Sequence, residues 1–267
     1  MTLSDRDFQR LSSFVQSRFG INLSGKRSLI ESRLAYDISR RGFESFGPYI
    51  DLVTGCPQGG ECQHMINRLS TNYSFFFRDT GYISHLKGKA LPQLLREGRR
   101  RVELWSAGCA GGQEAYSVAM VLSSMAAAGG FDFHITGTDI NTEVLETAER
   151  GSYPAGELKS IPEAYRRYVR GPENGRIEMA EELRAHISWE RENLMDMSLA
   201  APAYDIVFCR NVLIYFAPET RKQIADKLYL AIRPGGYLYT GAMEAMEFKS
   251  RRFVYIAPSI YRKGAPQ

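Results

Sequence analysis

The chain is poor in the residues that build metal centres and disulfide frameworks. Among its 267 residues are four cysteines, with no Cys-x-x-Cys pair, and four scattered histidines. We therefore predict no zinc site, no metal cofactor and no disulfide scaffold. No apolar stretch approaches the roughly 18 residues of a membrane span, and the polar N-terminus lacks the features of a signal peptide. The prediction is a cytoplasmic protein that is not inserted in a membrane.

Charge is present in ordinary amount but is unevenly spread. The formal net charge is +4, and 24% of the residues are charged, as in a typical soluble globular protein. The stretch 82–101 carries six bases and one acid. Such a stretch fits a surface for nucleic acid or for an acidic protein, and it equally fits a solvated helix end and loop. Charge alone leaves these alternatives open.

The first part of the chain has the pattern of short helices. Ser4 is a helix-capping residue, apolar residues follow at helical spacing, and Gly20 is a suitable end. A second helix is predicted over about 26–41, ending before Gly42. Short helices around Tyr49 and Met65 complete a small all-α domain, which we place at residues 1–75, with a linker and a helix at 76–100.

The pattern changes near residue 101, where strands begin to alternate with helices. This alternation predicts a mostly parallel sheet covered on both faces, an α/β fold. Prolines and charges interrupt the pattern at 151–184, which predicts an inserted subdomain. The predicted helices cover about 113–128, 142–150 and 218–232. The predicted strands cover 102–106, 133–138, 186–190, 204–209, 237–240 and 253–261, with a turn at 233–236.

A glycine-rich turn follows the first predicted strand, between Gly108 and Gly112. Glycines there let a ligand approach the backbone at the first crossover of an α/β sheet. The dinucleotide pattern G-x-G-x-x-G fails because Ala110 replaces its second glycine, and Glu114 would repel a phosphate at the helix N-terminus. A cationic ligand without phosphate, such as S-adenosylmethionine (AdoMet), fits better. A tight turn with no ligand is the alternative.

Polar residues also follow the next two strands. Asp139 ends the second strand, where its carboxylate could accept hydrogen bonds from ribose hydroxyls or could cap a helix together with Asn141. Asn193 and Leu194 follow the third strand. An amide at this place could bind the adenine edge or could be a simple loop residue.

The apolar strand 204–209 runs out into Arg210 and Asn211, at the edge of the sheet where ligand clefts open. Tyr215, four residues after Asn211, could present its phenol to the same cleft or pack as a core aromatic. In the segment joining the two regions, Arg78 could bind a carboxylate with its planar guanidinium.

Four of these segments together resemble one family. Asn72-x-Ser74-x-x-Phe77-Arg78 and the segments 105–117, 137–140 and 208–215 resemble the CheR family of chemotaxis receptor glutamate O-methyltransferases, in order and in spacing. The resemblance runs from the N-terminal helices to about Arg262. It implies an all-α receptor-contacting domain, a Rossmann-like class I AdoMet methyltransferase domain at 101–267, and an antiparallel β subdomain inserted at about 151–184.

The resemblance also implies roles for single residues. Arg78 and Tyr215 would lie nearest the reacting methyl group and be catalytic. The basic residues of the second helix would face an acidic helical bundle of the receptor, and they are Lys26, Arg27, Arg33, Arg40 and Arg41. The AdoMet site would be lined by Asn72, Ser74, Arg78, Gly108, Glu114, Asp139, Asn193, Leu194, Arg210 and Asn211.

The implied reaction is methyl transfer from AdoMet to glutamate side chains of methyl-accepting chemotaxis receptors, which leaves S-adenosylhomocysteine. Some family members bind a C-terminal receptor peptide through the inserted subdomain, and the sequence does not decide this point. Three other functions stay open: a nucleic-acid methyltransferase using the basic stretch 82–101, an AdoMet-binding sensor without catalysis, and a dinucleotide oxidoreductase. We expect a receptor partner and no nucleic acid.

Overall fold

The structure is a computed structural model, and it describes residues 1–197, 201–244 and 253–264. Ten α-helices and ten strands occur in this part of the chain, together with one π-helical and three short 3-10 segments. The helices are α1 (Asp5–Phe19), α2 (Arg27–Arg40), α3 (Phe46–Gly55), α4 (Gly60–Leu69), α5 (Gly81–His85), α6 (Leu91–Arg96), α7 (Gln113–Gly129), α8 (Thr142–Arg150), α9 (Glu181–Arg184) and α10 (Pro218–Ala231). The strands are β1 (Arg101–Ala107), β2 (Asp132–Asp139), β3 (Ser152–Pro154), β4 (Val169–Glu173), β5 (Arg176–Met179), β6 (Ile187–Arg191), β7 (Tyr204–Cys209), β8 (Ile232–Thr240), β9 (Phe253–Ala257) and β10 (Ile260–Lys263).

The first four helices form the predicted small all-α unit. The Ser4 hydroxyl accepts a hydrogen bond from the backbone N–H of Asp7 at the start of α1. The helix ends at Gly20, which has the left-handed φ of 72° that glycine adopts without strain. Ile30, Leu34 and Ile38 form an apolar stripe on α2 that is fully buried, and this stripe packs with α1, α3 and α4 around one hydrophobic core.

A seven-stranded sheet forms the centre of the α/β domain, in the order β6-β2-β1-β7-β8-β10-β9. The first five strands of this order are parallel, and β9 and β10 form an antiparallel hairpin at one edge. Leu104 and Trp105 are adjacent on β1 and belong to different cores, because successive side chains of a strand point to opposite faces. The predicted α/β fold with a mostly parallel sheet is confirmed.

Strand order reverses between β1 and β7, and this reversal positions the site. From β1 the chain proceeds to β2 and β6 on one side, and from β7 to β8 on the other. The loops that leave the carboxyl ends of β1 and β7 therefore diverge and open a crevice. The glycine turn follows β1, and Arg210 follows β7, so both predicted segments lie at this crevice.

The segment between β2 and β6 contains a separate antiparallel sheet, as predicted. Its order is β3-β5-β4. Tyr153 on β3 is fully buried, donates a 2.6 Å hydrogen bond from its hydroxyl to the Gly111 carbonyl, and packs edge-on against Phe76. The inserted sheet is therefore held against both the glycine turn and the linker.

Two predictions about the last strands are wrong. The predicted turn 233–236 belongs to β8, where the pairing with β7 shifts register between Tyr204 and Ile206 and Gly235 takes a φ of 81°. The extra residues form a bulge that lets the strand continue. The predicted single strand 253–261 is instead the β9–β10 hairpin. Its turn contains Pro258, which cannot donate to the ladder, and Ser259, which is left-handed with φ 63°.

None of the helices in the described part of the chain combines the length and the apolar composition that crossing a membrane requires.

Candidate active site

A cleft opens at the carboxyl edge of the sheet, and three parts of the chain form its walls. The glycine turn and the loops after β2, β6 and β7 supply one wall. The segment between α4 and α5, residues 70–80, supplies a second and is called the linker below. The third comes from the N-terminal domain and includes Phe19, Leu23, Lys26 and Leu29. The all-α domain thus closes the cleft, in addition to the receptor-contacting role predicted for it.

A buried guanidinium organises the centre of the cleft. The Arg210 side chain is only 6% exposed and donates to Glu114 Oε2 at 3.0 Å and to Asp79 Oδ2 at 2.9 Å. Its guanidinium lies 4.1 Å from the ring centroid of Tyr82. Ser106 donates to the other Glu114 oxygen at 2.9 Å. Each Glu114 oxygen still has a lone pair, so this fixed carboxylate can accept a further hydrogen bond from a ligand.

Asp139 joins the glycine turn to the second strand. Its Oδ2 accepts from the Ala110 N–H and its Oδ1 from the Asn141 N–H, both at 2.9 Å. The cap of α8 is Asn141, whose Oδ1 accepts from Glu143 and Val144. The alternative of Asp139 as the helix cap is therefore wrong. Burial raises the pKa of the Asp139 carboxyl, although these backbone hydrogen bonds oppose the increase.

The glycine at 108 is needed for packing as well as for the turn. Gly108 lines the cleft and has a left-handed φ of 73°. A Cβ at this position would lie 2.6 Å from a methyl carbon of Val212, in the loop after β7. The two loops of the crevice therefore touch here, and only glycine permits this contact.

The linker is fixed by the N-terminal domain. Arg33 on α2 donates to the carbonyl oxygens of Leu69 and Ser70 at 2.8 and 2.7 Å. The Ser70 hydroxyl in turn accepts from Asn72 at 3.1 Å and from Asn141 at 2.8 Å. A chain of hydrogen bonds thus runs from α2 to the loop after β2.

These contacts change the interpretation of the predicted receptor-binding residues. The guanidinium of Arg33 donates its hydrogen bonds at the start of the linker, so it stabilises the linker and is not free to bind a receptor. Arg27 donates to the Leu3 carbonyl and pairs with Asp5, and Arg41 pairs with Glu61. Arg40 is exposed and has no side-chain partner among the described residues. Lys26 lies at the cleft, with its ammonium 5.8 Å from the Tyr215 ring centroid.

Arg78 lies at the cleft on a strained segment. Its neighbours Phe77 and Asp79 have left-handed φ angles of 56° and 53°, which are costly for residues other than glycine. The guanidinium lies 5.7 and 5.6 Å from the ring centroids of Tyr73 and Phe75. The backbone of Phe77 is held by a 2.9 Å hydrogen bond to Ser117. The strain is therefore maintained by specific contacts around the residue.

Tyr215 lies across the cleft in a short 3-10 turn, Leu213–Tyr215. Its carbonyl accepts a 2.8 Å hydrogen bond from the Asn22 N–H, and Phe216 forms a β-bridge with Ile21. The residues that follow α1 thus fix the position of this turn.

Two family models match the chain nearly from end to end. The model for the all-alpha domain of CheR methyltransferases matches residues 6–70, and the model for their SAM-binding domain matches residues 72–261.

The chain belongs to the CheR methyltransferase family.

Curated relatives agree with this assignment. The chain is 32% identical to the chemotaxis protein methyltransferase of Borreliella burgdorferi, over 98% of this chain and 96% of the relative. It is 34% identical to the chemotaxis protein methyltransferase of Escherichia coli, over 98% and 92%. It is 31% identical to the chemotaxis protein methyltransferase Cher2 of Pseudomonas putida, over 92% of both chains. The protein is thus an AdoMet-dependent methyltransferase of the chemotaxis kind.

The groups at the cleft of this CheR family member fit AdoMet. Glu114 and Asp139 are fixed carboxylates that can accept hydrogen bonds from an ammonium group and from ribose hydroxyls. The acid in the first turn of α7 would repel the phosphates of a dinucleotide. Among the described residues, no group of three or more histidine, cysteine or acidic side chains has the arrangement of a metal site.

The loop after β6 lines the cleft, where the side-chain amide of Asn193 is held by contacts within the protein. The Asn193 amide donates to the Arg18 carbonyl at 2.9 Å and to Asp196 at 3.2 Å, so both of its N–H groups are used within the protein. Binding of an adenine edge by this amide stays a prediction, to which these two contacts add no support. Leu194 is buried and lines the cleft, as does Glu192, whose pKa is raised by burial. Glu192 could have been found in the sequence, because it follows a strand as Asp139 does.

Sequence reasoning also missed Glu244. This side chain is 2% exposed, and its carboxylate accepts hydrogen bonds from four backbone N–H groups, three of them in the loop that follows Arg210. No motif marks it, because three of its four partners lie more than thirty residues earlier in the chain.

Proposed function

We propose that the protein transfers the methyl group of AdoMet to glutamate side chains of methyl-accepting chemotaxis receptors, forming glutamyl methyl esters and S-adenosylhomocysteine. The observation that carries the proposal is the meeting of two sets of groups at one cleft. The carboxylates Glu114 and Asp139 suit the cofactor, and the basic and phenolic groups of Arg78, Lys26 and Tyr215 suit an acceptor carboxylate. The names and the extent of similarity of the curated relatives support the chemotactic acceptor.

On the cofactor side, Glu114 would accept hydrogen bonds from the ammonium group, and Asp139 would accept from the ribose hydroxyls. Gly108 and Leu194 would contact the cofactor through backbone and apolar surface. Asn72, Ser74, Asn211 and Arg210 would complete the lining, although the Arg210 guanidinium acts through its two carboxylate partners. The proposed contacts come from the segment between α4 and α5 and from the four loops at the ends of β1, β2, β6 and β7.

On the acceptor side, Arg78 and Tyr215 would orient the incoming carboxylate, with Lys26 adding positive charge at the cleft. A glutamate side chain has a pKa of about 4.3 and is therefore already a nucleophile at neutral pH, so no general base is required. When bound, AdoMet supplies a methyl group on a positively charged sulfur, which becomes a neutral thioether once a carboxylate oxygen takes the methyl. The residues of the cleft contribute by in-line positioning and by excluding water.

For the receptor, we propose that an acidic face of its helical bundle approaches α2 and the cleft. Of the predicted basic residues, Lys26 and Arg40 have a charged group with no hydrogen bond and no ion pair among the described residues. The three-stranded sheet leaves β4 at an edge, where a receptor peptide could add as a further strand. Binding of receptors with and without their C-terminal peptides would decide whether this edge is used.

The first experiment is transfer of radiolabelled methyl from AdoMet to membranes rich in chemoreceptors, followed by treatment with base. We expect volatile label released by base, because a carboxyl methyl ester is hydrolysed. Label that resists base would indicate methylation of nitrogen or of nucleic acid. If no label is transferred although AdoMet raises the Tm, the protein would be a sensor and the proposal would be wrong.

Two variants test the roles within the cleft. Arg78→Ala and Tyr215→Phe should each lower the rate of methyl transfer by about 10-fold or more, because each removes a group that orients the acceptor. Matched controls are Arg100→Ala and Tyr255→Phe, at exposed positions away from the cleft and from α2. If both cleft variants kept the full rate of transfer, this division of roles would be wrong.

A further inference from the structure

We infer that Glu244 is a positioning residue for methyl transfer, which fixes the loop carrying Arg210, Asn211 and Tyr215. The inference rests on the proposed function, since it concerns the residues that orient the acceptor. Glu244 itself does not line the cleft. It acts through the backbone of the loop after β7.

Each of the two carboxylate oxygens of Glu244 accepts two hydrogen bonds. Oε1 accepts from the backbone N–H groups of Val212 and Leu213, both at 2.7 Å. Oε2 accepts from those of Asn211 at 2.9 Å and Gly241 at 2.6 Å. An ionised carboxylate has two oxygens with about four acceptor positions and no donor. Four converging N–H groups therefore match a glutamate in chemistry as well as in number.

Successive N–H groups that point to one place form an anion-binding concavity, which is unfavourable without a negative charge. Asn211 has a left-handed φ of 60°, which brings its N–H into this set at a conformational cost. The carboxylate compensates for the cost and joins the end of β7 to the end of β8. Without it, the loop would relax to a conformation with fewer converging donors.

The fixed loop determines where the functional groups lie. Arg210 directly precedes it and holds Glu114 and Asp79, while the 3-10 turn that begins at Leu213 carries Tyr215. A shift of about 1 Å in reacting groups can lower a rate by about 100-fold. The loop anchored by Glu244 is therefore the element that sets the distance between the acceptor side and the centre of the cleft.

A second position reports on the same contact from the other side. A Cβ added at Gly241 would lie 2.7 Å from Glu244 Oε2 and 2.9 Å from the Asn211 N atom. Gly241→Ala therefore pushes the carboxylate and the loop apart while leaving the charge in place. It provides an independent test if a substitution of Glu244 does not fold.

The experiment compares Glu244→Gln and Gly241→Ala with wild type and with Glu219→Gln, an exposed Glu-to-Gln control on α10. Gln places an NH₂ group against backbone N–H groups, so two of the four hydrogen bonds are lost. We expect kcat for receptor methylation to fall by about 10- to 100-fold. The AdoMet Kd should rise by a smaller factor than kcat falls, since Glu114 and Asp139 lie on other loops and only Arg210 and Asn211 of the cofactor lining lie on this one. Glu244→Asp, which keeps the anion, should recover part of kcat.

Hydrogen–deuterium exchange tests the loop without any acceptor. The amides of residues 211–213 should exchange at least about tenfold faster in Glu244→Gln than in wild type, with those of β1 unchanged. Unchanged exchange, or a kcat within twofold of wild type in a folded variant, would overturn the inference. So would a loss of AdoMet binding and kcat in equal proportion, which indicates general unfolding. If exchange differs between the two proteins as expected but the wild type transfers no methyl group, the proposed function alone would be refuted.

Discussion

Replacing Arg33 with alanine separates two roles that this residue could have. The sequence predicts that it contacts the receptor, whereas the structure shows its guanidinium on the carbonyl oxygens of Leu69 and Ser70. If Arg33 holds the linker in place, Arg33→Ala should make the linker more mobile. Through Ser70, it should also release Asn72 and Asn141 from their present positions. The variant should therefore lose stability and AdoMet affinity even when no receptor is present.

The expected size follows from the contacts. A hydrogen bond that involves a charged group contributes about 1.5–3 kcal/mol when its partner is left without a substitute. The guanidinium is partly exposed, so water can replace it at the carbonyls, and we expect a net loss of about 1–2 kcal/mol in the free energy of unfolding. For a protein of this size that lowers the Tm by about 2–6 °C. A loss of similar size in the free energy of AdoMet binding would raise the AdoMet Kd by on the order of fivefold.

Arg40→Ala is the matched control, because Arg40 lies seven residues further on the same helix and has no side-chain partner among the described residues. Thermal unfolding and calorimetric titration with AdoMet would be measured for both variants without receptor. Arg40→Ala should keep the AdoMet Kd of wild type. If Arg33→Ala also kept the Tm and Kd of wild type and only raised the KM for receptor, the reasoning from the linker contacts would be refuted.

Three further predictions concern the cleft and its surroundings. Glu114→Gln should lower the free energy of unfolding by about 3 kcal/mol, as measured by denaturant titration. This is the lower end of the usual cost of breaking a buried ion pair, because Arg210 keeps its pairing with Asp79. Asp139→Asn should raise the AdoMet Kd by about 10-fold, because the amide offers a single acceptor oxygen, and calorimetry measures this. Burial, with a smaller contribution from Lys89, lowers the pKa of His85 below its usual value near 6.5. Between this lowered pKa and about 6.5, the folded state binds fewer protons than the unfolded state. The free energy of unfolding should therefore fall as the pH falls below about 6.5, and His85→Gln should flatten the decrease.

These predictions have clear contrary outcomes. A Glu114→Gln variant as stable as wild type would mean that the Arg210 guanidinium is compensated by water or by Asp79 alone. An unchanged AdoMet Kd in Asp139→Asn would exclude this carboxylate from the cofactor site. The same dependence of stability on pH in wild type and His85→Gln would assign that dependence to other groups.

The sequence was sufficient for the ends of several helices and for the order of most elements, although not for the last strands. The start and end of α1 follow from Ser4 and Gly20, and the cap of α8 follows from Asn141, because capping depends on residues a few positions apart. The predicted site segments do meet at one cleft, because the carboxyl ends of parallel strands lie on one edge of the sheet. The motifs around Arg78 and Arg210 were enough to indicate the family.

Contacts between distant segments were decided only by the tertiary structure. The sequence could not show that Arg33 holds the linker, that the Asn193 amide is used by Arg18 and Asp196, or that Glu244 anchors the loop after β7. A residue's type and spacing indicate what it can bind, while its partner depends on which loops the sheet order brings together. Arg33 and Arg40 show this most directly: they lie seven residues apart on one helix, and only the first meets backbone carbonyl oxygens from another part of the chain.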